Sequence, residues 1–248
     1  MSIAGTGVPS QHTALPRTDH VPPLPERALP LLRAVARARY SRRYRIEVHG
    51  GPYVPTHGPV LLASNHIGHL DRPILVAVAP RRVHALAERE MFTGATGRLL
   101  SAAGQVPVAR TDADPGAVRR CVRALRDGCV VAVFPEGGPG DGGVTHSRRG
   151  LAYLGLVTGA PVVPVAVLGT RLPGQCVHDH PPSRARVVVA FGRSQRVAPQ
   201  PWPRRRAEVG ALAERLRTVL ADHVAATVAV TGIELPGRAP DQAQEDTP

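Results

Sequence analysis

The stretch Val162-Val163-Pro164-Val165-Ala166-Val167 is apolar at every position, and it decides the fold class. A strand with one wet face alternates between apolar and polar residues, whereas a continuous apolar run belongs to a sheet that is covered on both faces. Other short β-branched runs alternate with helical patterns along the chain. The sequence therefore predicts one α/β sandwich domain with a mostly parallel central sheet flanked by helices.

The predicted elements cover most of the chain. Residues 24–45 form a predicted amphipathic helix, on which Leu29, Leu32, Val35 and Ala36 share one face beside many arginines. The main domain covers residues 46–233, and residues 1–23 and 234–248 are predicted to be disordered tails because they are rich in Pro, small and polar residues. Strands are predicted at 60–63, 82–87, 105–109, 130–134, 162–168 and 186–191, and helices at 72–79, 91–103, 115–126, 148–158 and 204–226.

The net charge of +12 indicates an anionic partner, such as a nucleic acid, an anionic membrane or a phosphorylated substrate. All 31 residues counted as Lys+Arg are arginine, which excludes Schiff-base catalysis and a P-loop lysine. Only 3% of the residues are aromatic, so base-stacking surfaces are disfavoured and no nucleic-acid partner is expected.

The three cysteines are Cys121, Cys129 and Cys176. Their odd number and the lack of a C-x-x-C spacing predict reduced, buried or incidental thiols in a cytosolic protein. The N-terminus lacks a charged segment followed by an apolar run, and no window approaches the ~18 apolar residues of a membrane span. Neither a signal peptide nor a transmembrane helix is expected.

Asn65 is the only asparagine, and it stands directly before His66, which four residues separate from Asp71. A carboxylate that accepts from Nδ1–H of a histidine leaves Nε2 free to remove a proton. At neutral pH this pair suits deprotonation of a hydroxyl. The same spacing also occurs where a histidine merely caps the following helix.

Candidate functional side chains follow three of the predicted strands. Asn65 and His66 come after the first strand, Arg110 after the third and Glu136 after the fourth. Since ligands bind where the carboxyl ends of parallel strands converge, we expect a base, a cation and a carboxylate at one edge of the sheet.

Four blocks in this order resemble the lysophospholipid/glycerophosphate acyltransferase family, in particular the 1-acylglycerol-3-phosphate acyltransferases. The resemblance spans about residues 45–195. The blocks are Asn65-His66 with Asp71, the segment 104–110, Phe134-Pro135-Glu136-Gly137 and the apolar segment 158–165.

The resemblance implies transfer of a fatty acyl group from an acyl-CoA or acyl carrier protein thioester to a hydroxyl, often on a lysophospholipid. His66 would be the general base and Asp71 the residue that orients it, within an acyltransferase domain at 46–233. No metal and no further cofactor are implied, because a thioester already carries a good leaving group. The substrate-binding positions would be Asn65, Arg110 as phosphate ligand, Glu136 as acceptor-positioning carboxylate, and Gly137.

Two departures leave the acceptor open. The family usually continues Phe-Pro-Glu-Gly with Thr-Arg-Ser, whereas this chain has Gly138-Pro139-Gly140-Asp141-Gly142-Gly143. The position of Gly68 is usually Ser or Thr. The acceptor can therefore be a lysophospholipid, a glycolipid precursor or the hydroxyl of a specialised metabolite, and use of a phosphate-bearing acceptor is in question.

Other functions are weighed against this one. A non-catalytic lipid-binding protein at a membrane surface would use the same scaffold, and His66, His69 and Asp71 with His178-Asp179-His180 faintly resemble a metallohydrolase cluster, although the H-x-H-x-D-H spacing is absent. No G-K-[ST] or G-x-S-x-G sequence occurs. The expectation is a cytoplasmic enzyme of phospholipid metabolism, attached to the inner face of an anionic membrane.

Overall fold

The computed structural model describes residues 15–109 and 114–241, and these form a seven-stranded sheet between two layers of helices. This confirms the predicted α/β sandwich. The strands are β1 (Arg45–His49), β2 (Val60–Ser64), β3 (Val83–Glu88), β4 (Val106–Val108), β5 (Val130–Val133), β6 (Val162–Leu168) and β7 (Arg186–Phe191). The helices are α1 (Leu29–Arg43), α2 (Asp71–Val78), α3 (Gly94–Ala102), α4 (Pro115–Arg126), α5 (Gly150–Thr158) and α6 (Arg206–Thr231), with short 3-10 helices at Gly51–Tyr53 and Arg89–Met91.

The strand order is β1-β7-β6-β2-β5-β3-β4, and the five strands from β6 to β4 are parallel. β7 runs antiparallel to β6, and β1 is parallel to β7. β1 is absent from the predicted strands because Arg-Ile-Glu-Val-His alternates over only five residues at an edge, where burial is slight.

Each face of the sheet has its own core. Helices α1 and α2 pack on one face, and α4, α5 and α6 pack on the other. All seven residues of β6 are buried, as the continuous apolar run predicts. β2 lies between β5 and β6, so the loops that follow these three strands meet at one edge of the sheet.

Helix α1 is shorter than the predicted 24–45 and turns only part of the predicted apolar face inward. Its contact with the core is made by Leu29, Ala36 and Tyr40, which follow the helical spacing of one stripe. Val35, predicted to share that face, is 57% exposed, because it lies about a third of a turn away from the stripe. The apolar character of α1 is therefore divided between a core side and a solvent side.

Helix α6 continues five residues beyond the predicted end at residue 226. Gly232 ends it with φ +68°, and its N–H donates to Val228 O at 2.8 Å. A glycine in this left-handed conformation is a common helix terminator, whereas the alanines and valines before it favour or tolerate the helix.

The described parts of both end segments contact the domain. Thr18 and Val21 are buried near α4, where Arg126 donates to Thr18 Oγ1 at 2.8 Å. At the other end Ala239 is buried. The rest of the two predicted tails, residues 1–14 and 242–248, lies outside the described residues. Within the described ranges no helix is both long enough and apolar enough to cross a bilayer.

Substitution of two glycines with positive φ tests how closely residue 50 packs against β7. Gly50 has φ +68°, and a Cβ there would lie 1.9 Å from Phe191 O; Gly58 has φ +74° with no heavy atom within 4 Å of such a Cβ. Gly58→Ala should cost about 1–2 kcal/mol for the left-handed backbone alone, and Gly50→Ala about 1–3 kcal/mol more for the clash. Urea denaturation of both variants measures the difference. Equal costs would contradict the tight contact between residue 50 and β7.

Candidate active site

The pair His66 and Asp71 lies between the end of β2 and the start of α2. His66 Nδ1 is 2.8 Å from Asp71 Oδ2, and both side chains are buried. Because an ionised carboxylate only accepts hydrogen bonds, Nδ1 carries the proton and Nε2 presents its lone pair. This is the arrangement that a histidine base requires.

Asp71 is held by further donors. Its Oδ2 accepts from the N–H groups of Ile67 at 2.6 Å and Gly68 at 2.9 Å, and Thr170 Oγ1 donates to Oδ1. Asp71 also opens α2, where the helix dipole favours a negative charge. A fully buried carboxylate needs such compensation, since burial without it is costly.

Arg171 is a fully buried side chain that ties several loops together, and sequence reasoning did not identify it. Its guanidinium donates to Ile67 O at 2.5 Å, to Gly140 O at 2.7 Å and to Gly237 O at 2.7 Å. Burial lowers its pKa, while the nearby Asp71 opposes that shift. Its place just after β6 is the signal that could have pointed to it, as the same rule selects residues after β2 and β5.

Asn65 joins β2 to β6 through its side chain. Its Nδ2 donates to Val167 O at 3.1 Å, and its Oδ1 accepts from Val167 N at 2.8 Å. The buried amide thereby replaces a main-chain pair of the parallel ladder just before His66. Both ends of the amide are engaged in this contact, and substrate binding by Asn65 stays a prediction.

Glu136 lies behind His66, because β2 and β5 are neighbours. Its Oε1 accepts from His66 N at 2.8 Å. Burial raises the pKa of Glu136 to about 7, with smaller contributions from Asp141 and Asp71, while the bond from His66 N opposes the shift. The carboxylate thus contacts the main chain of the histidine, and acceptor positioning by Glu136 stays a prediction.

The glycine-rich loop 138–143 packs directly on the histidine segment. Gly140 N donates to His66 O at 2.7 Å. Gly142 has φ +88°, and a Cβ there would lie 2.5 Å from Ile67 Cγ2. Gly137 has φ +83°, and its missing Cβ would meet Arg148 Nε at 2.2 Å. Glycine is required at both positions by the backbone and by the close approach.

A cavity of about 380 Å³ lies beside His66. The ring of Phe134 in its wall is 4.7 Å from the imidazole ring. Cys121 also lines the cavity, but burial raises its thiol pKa to about 12, so it is a poor nucleophile. The apolar wall includes Leu86, Val108, Val118, Val133, Leu151 and Leu154, and the charged wall residues include Arg72, Arg148, Arg149 and Glu88.

Arg110, the predicted phosphate ligand, lies outside the described residues. The residues on either side of that segment, Ala109 and Asp114, both line the cavity.

The residues of the metallohydrolase-like alternative do not face one common point. His69 stacks on His178 with ring centroids 4.1 Å apart, while Asp71 faces His66. Burial, followed by the neighbouring His178, lowers the pKa of His69.

The fold and the site together define an α/β protein with a buried histidine–aspartate pair next to an apolar cavity. The acyltransferase family model matches residues 45–168, half of the chain, and the protein belongs to this family. The match contains Asn65, His66, Asp71, Arg110, Glu136 and Gly137.

Individual relatives agree with the family. The chain is 28% identical over 131 residues to the 1-acyl-sn-glycerol-3-phosphate acyltransferase of Bacillus subtilis, covering 52% of this chain and 65% of that protein. It is 28% identical to a chloroplastic 1-acyl-sn-glycerol-3-phosphate acyltransferase of Brassica napus, covering 51% and 38%. The chain therefore spans less than two thirds of the length of these relatives. The crystal structure of the 1-acyl-sn-glycerophosphate acyltransferase of Thermotoga maritima has the same fold, with a TM-score of 0.60 at 16% identity over 79% of each chain.

The buried Glu136 makes stability depend on pH in a defined direction. Its pKa is about 7 in the folded protein against an ordinary 4.5, so the folded state holds the proton more tightly and loses stability as pH rises from about 4.5 to 7. Glu136→Gln keeps an acceptor for His66 N but cannot ionise. Relative to the parent, the variant should gain about 3 kcal/mol of unfolding free energy between pH 4.5 and pH 8.

Urea denaturation at several pH values measures this difference. Glu208→Gln, at an exposed glutamate of α6, is the matched control and should show no comparable gain over the same pH range. A difference between Glu136→Gln and the parent that stays constant with pH would contradict the raised pKa.

Proposed function

We propose that this protein transfers a fatty acyl group from an acyl-CoA or acyl carrier protein thioester to a hydroxyl of a lysophospholipid or glycerophosphate-type acceptor, with His66 as general base. The observation that carries the proposal is the 2.8 Å pair of His66 and Asp71, of which His66 lies in the wall of an apolar cavity of about 380 Å³. Similarity to the Bacillus and Brassica acyltransferases supports the substrate class.

In the proposed reaction, Nε2 of His66 removes the proton of the acceptor hydroxyl, whose oxygen attacks the thioester carbonyl. The carbon–sulfur bond then breaks, and the departing thiolate takes the proton from the imidazolium. Asp71 stabilises the imidazolium and keeps Nε2 as the reacting nitrogen. The base is already positioned by main-chain contacts, so little reorganisation is needed before proton transfer.

The cavity wall supports a substrate with an apolar chain and anionic groups. Its aliphatic side chains suit an acyl chain, because burial of each methylene contributes about 0.8 kcal/mol. Arg148 and Arg149 in the same wall suit phosphate groups of the donor or the acceptor. Arg110 is proposed as a further phosphate ligand, since a guanidinium offers phosphate a planar pair of donors.

Arg148 lies next to the start of the altered loop 138–143. The chain lacks the Thr-Arg-Ser that usually follows Phe-Pro-Glu-Gly in the family, but the Arg148 guanidinium lies directly against Gly137. We propose that Arg148 supplies a positive charge next to the loop in place of the missing arginine. This favours a phosphate-bearing acceptor over a neutral metabolite hydroxyl. A glycolipid precursor with a phosphate group remains compatible with the same site.

The base is tested by His66→Ala, which should lower the transfer rate by a factor on the order of 10² to 10⁴ while thioester binding persists. Asp71→Asn should cost comparably, because the wrong tautomer becomes available. His57→Ala, at an exposed histidine, is the matched control. The assay follows thiol release from mixed acyl-CoAs and from acyl carrier protein thioesters with a lipid extract, and identifies acylated products by mass spectrometry.

Transfer by His66→Ala at the parental rate would contradict the assignment of the base. A parent protein that binds lipid but releases no thiol with either donor would favour the second candidate, a non-catalytic lipid-binding protein. The observation that favours this second candidate is the altered loop after Gly137.

We further propose that α1 contacts an anionic membrane surface. Leu31 is 69% exposed and Val35 is 57% exposed on its outer side, among several exposed arginines. Near an anionic surface each arginine contributes about 1 kcal/mol, and salt screens the attraction. The inner side of α1 is occupied, since Arg33 Nε donates to Val76 O at 3.0 Å on α2.

Leu31→Glu combined with Val35→Glu should therefore weaken sedimentation with anionic liposomes, and parental binding should fall from low to high ionic strength. Val230→Glu, at an 87% exposed valine of α6, is the control that adds charge elsewhere. Turnover of a water-soluble acceptor should persist in all variants. Equal sedimentation of the double variant and the parent would place membrane contact on another face.

A further inference from the structure

A second group of reactive side chains lies at the amino ends of β3 and β5, the edge of the sheet opposite His66. Glu26, His84 and Cys129 converge there from three separate segments. His84 Nε2 is 3.5 Å from Glu26 Oε1, and Cys129 Sγ is 3.7 Å from the same oxygen. The three candidate ligand atoms all lie within 4.8 Å of one another.

One ring nitrogen of His84 is already engaged. Nδ1 is 2.9 Å from Gly104 O, and a carbonyl only accepts, so Nδ1 carries a proton and Nε2 is the nitrogen that is left for a ligand. His84 is fully buried, and within the described residues Nε2 has no hydrogen-bond partner. Nε2 faces a carboxylate oxygen at 3.5 Å, an arrangement that either a second ring proton or a metal ion between the two atoms would stabilise.

In many metal-binding histidines one ring N–H donates to a main-chain carbonyl and the other ring nitrogen binds the metal. The contact of His84 Nδ1 with Gly104 O matches this arrangement. The nearby arginines contact oxygens other than Glu26 Oε1. Arg82 Nη1 lies 3.4 Å from Glu26 Oε2, which leaves Oε1 to the cluster. Arg81 donates to Gly58 O and Gly128 O, each at 2.8 Å.

Two of the three ligand separations fit a zinc ion, and the third pair, His84 Nε2 and Cys129 Sγ, lies within 4.8 Å. With ligand bonds of about 2.0–2.3 Å, neighbouring ligand atoms of a tetrahedral zinc site lie roughly 3.3–3.6 Å apart. The observed separations of 3.5 and 3.7 Å are close to this range. Glu26 and Cys129 also border a cleft of about 560 Å³, which gives an ion a path from solvent.

We propose that Glu26, His84 and Cys129 bind one zinc ion through carboxylate oxygen, imidazole Nε2 and thiolate sulfur, with water as the fourth ligand. One nitrogen, one sulfur and one oxygen donor form a set that zinc accepts readily. Binding displaces the thiol proton of Cys129. The ion ties the segment before α1 to the first residues of β3 and β5. The site is independent of the proposed acyl transfer.

The test uses the full-length chain, stripped with a chelator and titrated with Zn²⁺ by calorimetry. One ion per chain should bind, and Co²⁺ should give a thiolate-to-metal charge-transfer band in the near ultraviolet. Cys129→Ser should abolish that band, and Glu26→Gln should weaken binding by at least about tenfold. Cys176→Ser, at a free cysteine outside the cluster, is the matched control and should retain both signals.

Limited trypsin digestion tests whether zinc protects the segment before α1 that contains Glu26. Zinc should slow cleavage after Arg27, directly beside Glu26, and raise the thermal midpoint in the parent but not in Cys129→Ser. A substitution of the fully buried His84 would also disturb folding, so the test relies on variants of the half-buried Cys129 and Glu26. Failure to bind zinc would overturn the proposal. So would parental binding by both Cys129→Ser and Glu26→Gln, which would place the ion elsewhere, for example at His69 and His178.

Discussion

The candidate site depends on the hydrogen bonds that the buried carboxylate of Asp71 accepts. It accepts from His66 Nδ1, from two main-chain N–H groups and from Thr170 Oγ1. These bonds fix the imidazole, shape the turn between β2 and α2, and join that turn to the residues after β6. Removing the histidine or the threonine would leave a buried charge with fewer donors, so orientation of the imidazole and stability of the turn are coupled.

The polar residues behind His66 hold its main chain, and the residues in front form the cavity. Asn65 binds the backbone of β6, Glu136 accepts from His66 N, and Arg171 donates to Ile67 O. The main-chain groups around His66 are therefore fixed from several strands at once. If His66 is the base, as proposed, a side chain held in this way needs little rearrangement before proton transfer, which is how a rigid site lowers the cost of orientation.

Local patterns predicted much of this and failed where partners are distant in sequence. The apolar run of β6 and the strand-end rule placed His66 and Glu136 correctly at one edge. β1 was missed because a short alternating edge strand has a weak signal. Arg171 has no local signature, since its acceptors lie on segments far along the chain. The group around His84 escaped notice for the same reason, and the spacing of the cysteines gave no hint of it.

The two departures from the family pattern both lie next to Arg171. A Cβ at Gly68 would lie 3.3 Å from Arg171 Cβ, and a Cβ at Gly142 would lie 2.5 Å from Ile67 Cγ2. Arg171 binds Ile67 O and Gly140 O together, so it draws the loop 138–143 onto the histidine segment. A Cβ at Gly68 would need a shift of only a few tenths of an ångström from Arg171, and a Cβ at Gly138, the first position of the missing Thr-Arg-Ser, would meet no heavy atom within 4 Å. A Ser at position 68 would therefore act on the loop through Arg171, whose bond to Gly140 O reaches the third of those positions.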